Sequence, residues 1–200
     1  MTNSHTLFNR NIESINALEN IYVYFSDKVE ALDISEILRA EFVLIVSAFD
    51  YYIHDIVRNG MLEMFEGTKP QNKNYDQFCI SLKTLSIILT ASNPEERRSI
   101  LDLEIKKITS KDSYQSPANV EKALGLIDFT NVWSTISPVV GLCASDIKNK
   151  LALVVQRRNK IAHEADIDTV TNMKTEIDRE IVDDVKSFIV KIVTAIDSLL

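Results

Sequence analysis

Apolar residues recur at helical spacing along most of this chain. Ile12, Ile15, Leu18 and Tyr22 predict a first helix over about Leu7 to Val29. Asp33, with Glu36 three residues later, resembles a capping box in which a carboxylate replaces the usual hydroxyl, and predicts the start of a long second helix. The centre of that helix, Phe42 to Phe49, is apolar nearly all the way round, the pattern of a helix enclosed by neighbours. Glu66 to Asn74 is polar, carries Gly67 and Pro70, and has no period, so it reads as a loop.

A third helix is predicted from Tyr75 to Leu89. Asn93-Pro94-Glu95-Glu96 then supplies a cap, a proline at the first helical position and acids in the first turn. Ser116-Pro117 repeats the cap-plus-proline signal for a short helix through Leu124. The region between Leu89 and Leu142 reads as short helices laid across one end of a bundle, anchored by Trp133. Ser145 is expected to cap the next helix, whose apolar face is Ile147, Leu151, Val154, Val155, Ile161 and Ala162. Ile177, Ile181, Val185, Phe188, Ile189, Ile192 and Ile196 form a stripe with charged residues opposite, which predicts a last amphipathic helix.

Composition narrows the class. Four glycines and four prolines in 200 residues leave little turn material for a many-stranded sheet, so the expected fold is all-α, an antiparallel helical bundle. With 46% apolar residues and no linker-like stretch, residues 1–200 are expected to form one domain. The net charge of −7 argues against a surface that grips nucleic acid along its whole length. A local exception exists, because Lys148, Lys150, Arg157, Arg158 and Lys160 fall in a segment with no acid. Cys79 and Cys143 have no metal-ligand spacing and make no disulfide framework. No apolar run is long enough to span a membrane and no signal-peptide pattern opens the chain, so the expected location is the cytoplasm.

The densest chemistry lies in Arg157-Arg158-Asn159-Lys160-Ile161-Ala162-His163. Histidine titrates near neutral pH and arginine remains cationic, so Arg158 and His163 together can move protons and neutralise charge on a phosphoryl oxygen without a metal. Asn159 and His163 are four apart, hence on one helix face, where the amide can hydrogen-bond the imidazole. Arg158 instead falls within the apolar stripe, about 140° around an ideal helix from His163. Three resolutions are open: the helix bends or ends near Ile161, a symmetry mate supplies one of the pair, or Arg158 is a buried structural cation.

The long second helix carries another polar row, Asp50, His54 and Arg58, at successive i, i+4 positions. It reads either as an intrahelical salt-bridge ladder or as a second wall of the same cleft. Glycine-rich phosphate loops, nucleophile elbows and helical pairs of metal-binding histidines do not occur in the sequence.

Arg158, Asn159 and His163 match the Arg-x4-6-His motif, with a polar residue after the arginine, of the HEPN superfamily. Leu38 to Arg58, Arg157 to Asp166, and Tyr114-Gln115-Ser116-Pro117 followed by Trp133 resemble its RiboL-PSP-type branch. The resemblance implies an α-helical bundle, here with extra short helices between the long central helix and the motif helix. It also implies a homodimer in which two motifs face one cleft. In active members it further implies a metal-independent endoribonuclease of a toxin or antiphage-defence system.

On that reading Arg158, Asn159 and His163 are catalytic, and Arg157, Lys160, Asp50, His54 and Arg58 bind substrate. RNA is the expected partner, with an antitoxin or neighbouring protein as a further one, and no metal or other cofactor is needed. Two other readings compete: a non-catalytic helical module that binds RNA or protein, and a regulatory nucleotide site in the same basic cleft.

Overall fold

The second helix runs unbroken for 31 residues, about 46 Å, in a computed structural model that describes residues 2–26, 28 and 33–200. Among the described residues the elements are α1 (Asn3–Ser26), α2 (Ser35–Phe65), α3 (Lys73–Asp76), α4 (Leu82–Thr90), α5 (Pro94–Thr109), α6 (Pro117–Gly125), α7 (Val132–Val140), α8 (Ala144–Glu164) and α9 (Arg179–Asp197). The fold is all-α, as the glycine-poor, 3.6-periodic sequence requires. Among the described residues, strand-like pairing is confined to an isolated antiparallel bridge between Ile167 and Lys174. No described helix is long and apolar enough to cross a membrane.

The described residues fall into two compact units, and α2 runs from one into the other. The first unit contains the described residues of 1–52, with 115–117 and 133–200. Its core is made by α9, whose Val182, Val185, Phe188, Ile189, Ile192, Val193 and Ile196 are all buried. Phe8, Ile12 and Ile15 of α1, Leu38, Phe42, Ile45, Phe49 and Tyr52 of α2, Trp133 of α7, and Ile147, Leu151 and Val154 of α8 are buried in the same unit. The second unit contains 53–114 and 118–132, with Met61 and Leu62 of α2, Ile105 of α5 and Val120, Ala123 and Leu124 of α6 in its core.

Local signals decide the helix ends. Asn93 accepts from the Glu96 amide at 2.8 Å, and the Glu96 carboxylate returns to the Ser92 amide at 2.7 Å, so the cap-proline-acid signal starts α5 as expected. The helix after Ser116-Pro117 also forms, as α6. The predicted helix over 75–89 is instead split. Asn72 caps the four-residue α3, and Ser81 caps α4 by accepting from the Thr84 amide, so a second start signal inside the segment interrupts it.

Asp33 accepts from the Ser35 amide at 3.0 Å as a turn residue just ahead of α2, not as a capping box with Glu36. Its carboxyl is held below the usual range by the side-chain and backbone hydrogen bonds of Ser35. Cys143, not Ser145, stands at the N-cap of α8, and the two side chains contact each other at 2.9 Å. Ile177 precedes α9, which Asp178 caps, and Val29, the expected end of α1, lies outside the described residues.

The expectation that α2 is enclosed all round also needs correction. Leu44, Ser47 and Tyr51 stay exposed along one strip beside Asn11, Ser14 and Ile15 of α1. On α2, buried acids replace some of the expected apolar contacts. Glu41, 1% exposed, accepts from Arg179 Nη1 at 2.7 Å, and burial pushes its carboxyl above the usual range despite that partner.

In the second unit Gly60 lies where α2 passes Ile127. A Cβ there would stand 2.6 Å from Ile127 Cγ2 and 3.0 Å from its Cβ, contacts that a β-branched side chain cannot both relieve by rotation. Gly60→Ala should therefore lower stability in urea by about 1–2 kcal/mol, although alanine is the better helix former by about 1 kcal/mol. In an Ile127→Ala background, which removes the 2.6 Å contact but keeps the Cβ, the same change should cost clearly less, and an additive double-mutant cycle would refute the packing explanation.

Candidate functional site

The motif helix leaves the core before it reaches its chemistry. Ile147, Leu151 and Val154 are buried, whereas Val155, Arg157, Arg158, Lys160 and Ile161 are half-buried, and Gln156, Asn159, Ala162 and His163 are exposed. The apolar stripe predicted to reach Ala162 therefore stops about two turns short of His163. The helix runs past Ile161 to Glu164, three residues on, and stops at Ala165, which takes a left-handed conformation (φ 50°) while its amide bonds Lys160 O.

Arg158 occupies the direction of the buried stripe, beyond the point where the core has ended. Among the described residues no carboxylate pairs with it, so it is not the salt-bridged structural cation that its position allowed. Its Nη1 donates to Asn159 Oδ1 at 3.1 Å. Asn159 lies about 100° from Arg158 and about 40° from His163 on the helical wheel, and so divides the 140° arc between them. The oxygen of the side chain expected to hold the imidazole is turned to the guanidinium. His163, in the last turn of α8, stands exposed at the helix end.

Arg157 behaves differently from its neighbour. Its Nη2 donates to Asp166 Oδ2 at 2.8 Å, to Glu176 O at 3.1 Å and to Thr175 O at 3.2 Å. Asp166 is fully buried, and the same Oδ2 accepts from Arg39 Nε at 2.9 Å. Arg39 also donates through Nη2 to Thr175 O at 2.8 Å and through Nη1 to Ser35 Oγ at 2.7 Å. One carboxylate thus ties the first turn of α2, the body of α8 and the strand-like segment before α9. Neither Arg39 nor Asp166 was picked out as functional from sequence, although both lie inside the segments that carried the resemblance.

Pairing also thins the positive segment 148–160. Lys150 bonds Asp184 and lies 4.9 Å from the centre of the Phe188 ring, and Arg157 is taken by Asp166. Lys148, Arg158 and Lys160 remain without a carboxylate partner among the described residues. Beyond Asp166 the chain folds back through the Ile167–Lys174 bridge, and Asp168 Oδ1 accepts from the Val170 and Thr171 amides at 2.9 Å each. Those hydrogen bonds, helped by the charge of Lys160, hold the Asp168 carboxyl below its usual range.

The second polar row divides between the units. Asp50 is half-exposed in the first, while His54 and Arg58 belong to the second. His54 stacks on Tyr114 with ring centroids 4.2 Å apart. Arg58 bonds Asp55 on its own helix and reaches Asp102 of α5 at 2.6 Å. Burial opposes ionisation of Asp102, but hydrogen bonds from Arg58 and Lys106 outweigh it and hold the carboxyl below its usual range. No group of histidine, cysteine, aspartate and glutamate among the described residues has the arrangement of a metal site.

The chain belongs to the RiboL-PSP-HEPN family, whose model matches residues 9–200 and so spans both units. No curated protein and no solved structure matches it.

A carboxyl whose pKa is depressed on folding stabilises above its unfolded value and loses that contribution as pH falls through the folded one. For Asp102 the window therefore lies below the ordinary value of 3.8. Asp102→Asn should destabilise the protein by a constant amount from pH 5 to pH 7, and the difference from wild type should shrink as pH falls below about 4 in urea titrations. A difference independent of pH down to the acid transition would show that the Arg58–Asp102 pair contributes nothing.

Proposed function

We propose that this protein is a metal-independent endoribonuclease that acts as a homodimer in the cytoplasm, within a defence or toxin-type system. The observation that carries this reading is the exposed end of α8. There a guanidinium without a carboxylate partner is bonded to the adjacent amide, one helical turn before an exposed histidine. A cation left unpaired in a chain of charge −7 is most simply reserved for an anionic ligand. Membership of the family supports an RNA-related role, and the two exposed free thiols, Cys79 and Cys143, fit a reducing compartment.

In this reaction the ribose 2′-oxygen attacks the adjacent phosphorus. The bond from phosphorus to the 5′-oxygen breaks, leaving a 2′,3′-cyclic phosphate and a 5′-hydroxyl. One proton must leave the 2′-hydroxyl and one must reach the departing 5′-oxygen. His163 carries one transfer, and its copy from the second protomer carries the other. Arg158 neutralises the charge on the non-bridging oxygens, with Asn159 fixing the guanidinium, and Lys160 adds backbone attraction. No step uses a metal.

A second reading is favoured by one observation in the other unit. Leu82, Leu89 and Leu103 are 82%, 71% and 66% exposed on α4 and α5, which is unusual for leucines in a folded chain and suits a protein-interaction module. The two readings separate on a single assay.

Purified protein incubated with mixed RNA in EDTA should generate cyclic phosphate and 5′-hydroxyl ends. His163→Ala should reduce cleavage by about 10²–10⁴-fold without changing the melting temperature. Arg158→Lys keeps the charge but loses the planar fork, and should still slow the reaction substantially. Unchanged cleavage by folded His163→Ala protein removes the catalytic assignment. A wild-type protein that leaves RNA intact favours the interaction module.

A further inference from the structure

We infer that Arg157 is a positioning residue for His163, acting through the buried Asp166, and not a phosphate ligand. The inference rests on the ribonuclease reading for its catalytic consequence, but its structural part stands on the geometry alone. Full apolar burial along α8 ends at Val154, nine residues before His163, and Val155 and Ile161 beyond it are only half-buried, so packing holds the last turns weakly. Helix ends fray unless something satisfies their carbonyls and holds the exit of the chain.

Here the exit is costly. Ala165 and Asp166 both adopt left-handed backbone, φ 50° and 59°, and neither is glycine. Polar contacts hold that reversal in place. The Asp166 amide bonds Lys160 O at 3.0 Å, and its carbonyl accepts from the Thr175 amide at 2.9 Å and from Thr175 Oγ1 at 3.2 Å. Its buried carboxylate is gripped by Arg39 and Arg157.

Arg157 starts on the half-buried flank of α8, and its Nη2 grips the chain on the far side of the reversal, at Asp166, Thr175 O and Glu176 O. His163 lies within the loop of chain that this clamp closes. Nη2 of Arg157 shares its two hydrogens among three protein acceptors and Nε is buried, so the edge of the guanidinium that these two nitrogens form faces the protein. Arg158 also spends one nitrogen, but on a neutral amide and not on a buried acid. Two adjacent arginines therefore divide the work, one aimed at substrate and one holding the helix end on which the histidine sits.

Arg157→Gln tests this while leaving the Arg39–Asp166 pair intact, and Arg157→Lys serves as the conservative variant. Hydrogen exchange should show the amides of residues 160–166 losing about tenfold or more of their protection in Arg157→Gln, with residues 185–196 of α9 unchanged. The His163 imidazole signals should move toward those of a mobile histidine. The turnover number should fall by about 10²-fold.

Affinity for a single-stranded oligonucleotide with 2′-deoxy sugars, titrated between 50 and 200 mM KCl, should stay within about twofold and keep its salt slope. Lysine restores the charge on Asp166 but cannot also reach Thr175 O and Glu176 O, so recovery should be partial. The proposal is overturned if exchange at 160–166 and the His163 signals are unchanged, or if α9 loses protection equally. It is likewise overturned if binding weakens with a salt slope shallower by about 0.7, the signature of one lost phosphate contact. A wild-type protein without ribonuclease activity would defeat the catalytic reading, and the exchange and imidazole measurements would still decide the positioning one.

Discussion

The arrangement of the motif depends on one buried carboxylate. Asp166 has no exposed surface, and a carboxylate in that setting persists only when cations and hydrogen bonds replace its water. Arg39 and Arg157 do so at Oδ2 from two different helices, while Oδ1 is buried without a hydrogen-bond partner, and the segment after the reversal is bonded to the same two guanidiniums. Removing one partner from such a cluster typically costs about 3–5 kcal/mol, because the remaining charges stay buried without compensation. The cost of burying Asp166 and Arg39, with Arg157 half-buried beside them, is thus converted into a fixed geometry at the end of α8, where apolar packing has thinned. Directional hydrogen bonds suit this task better than apolar contacts, which would hold the helix axis but not its rotation or its terminus.

Much of the fold was legible because its signals are local. The proline and asparagine at the start of α5 and the uninterrupted stripe of α9 act within a turn or two, and both elements form as expected. The failures arise where two local signals compete or where the pattern is silent about neighbours. Ser81 offers a cap inside a helical-looking stretch, and the helix restarts there. Leu44 and Tyr51 are as apolar as their buried neighbours, so nothing in the sequence says that their strip of α2 remains exposed. The site was legible as a set of residue types and not as a set of contacts. The Arg39–Asp166 pair joins positions 127 apart, a separation that periodicity cannot see.

Charge distribution shows the same limit. Counted along the chain, residues 148–160 form a block of five cations without an acid. In three dimensions Asp184 of α9 and Asp166 take up two of them, and the excess positive charge contracts to Lys148, Arg158 and Lys160. A protein with net charge −7 gains from this economy, since broad positive potential would attract every polyanion, whereas Arg158 and Lys160, within two helical turns of His163, favour contact at one place.

Family membership and residue chemistry contribute different parts of the functional argument. The match over residues 9–200 establishes the family and its helical fold, while one fold can carry catalytic and non-catalytic proteins alike. What distinguishes the cases is whether the Arg158 guanidinium is available to an anion or consumed by the protein. The neighbouring Arg157 illustrates consumption, with its Nη2 bonded to a buried carboxylate and two carbonyls. Arg158 has the same side chain one residue later, projects about 100° further round the helix, and meets a neutral amide in place of an acid. That rotation leaves Arg158 without a buried acid, and the asparagine that bonds it lies between it and His163 on the helical wheel.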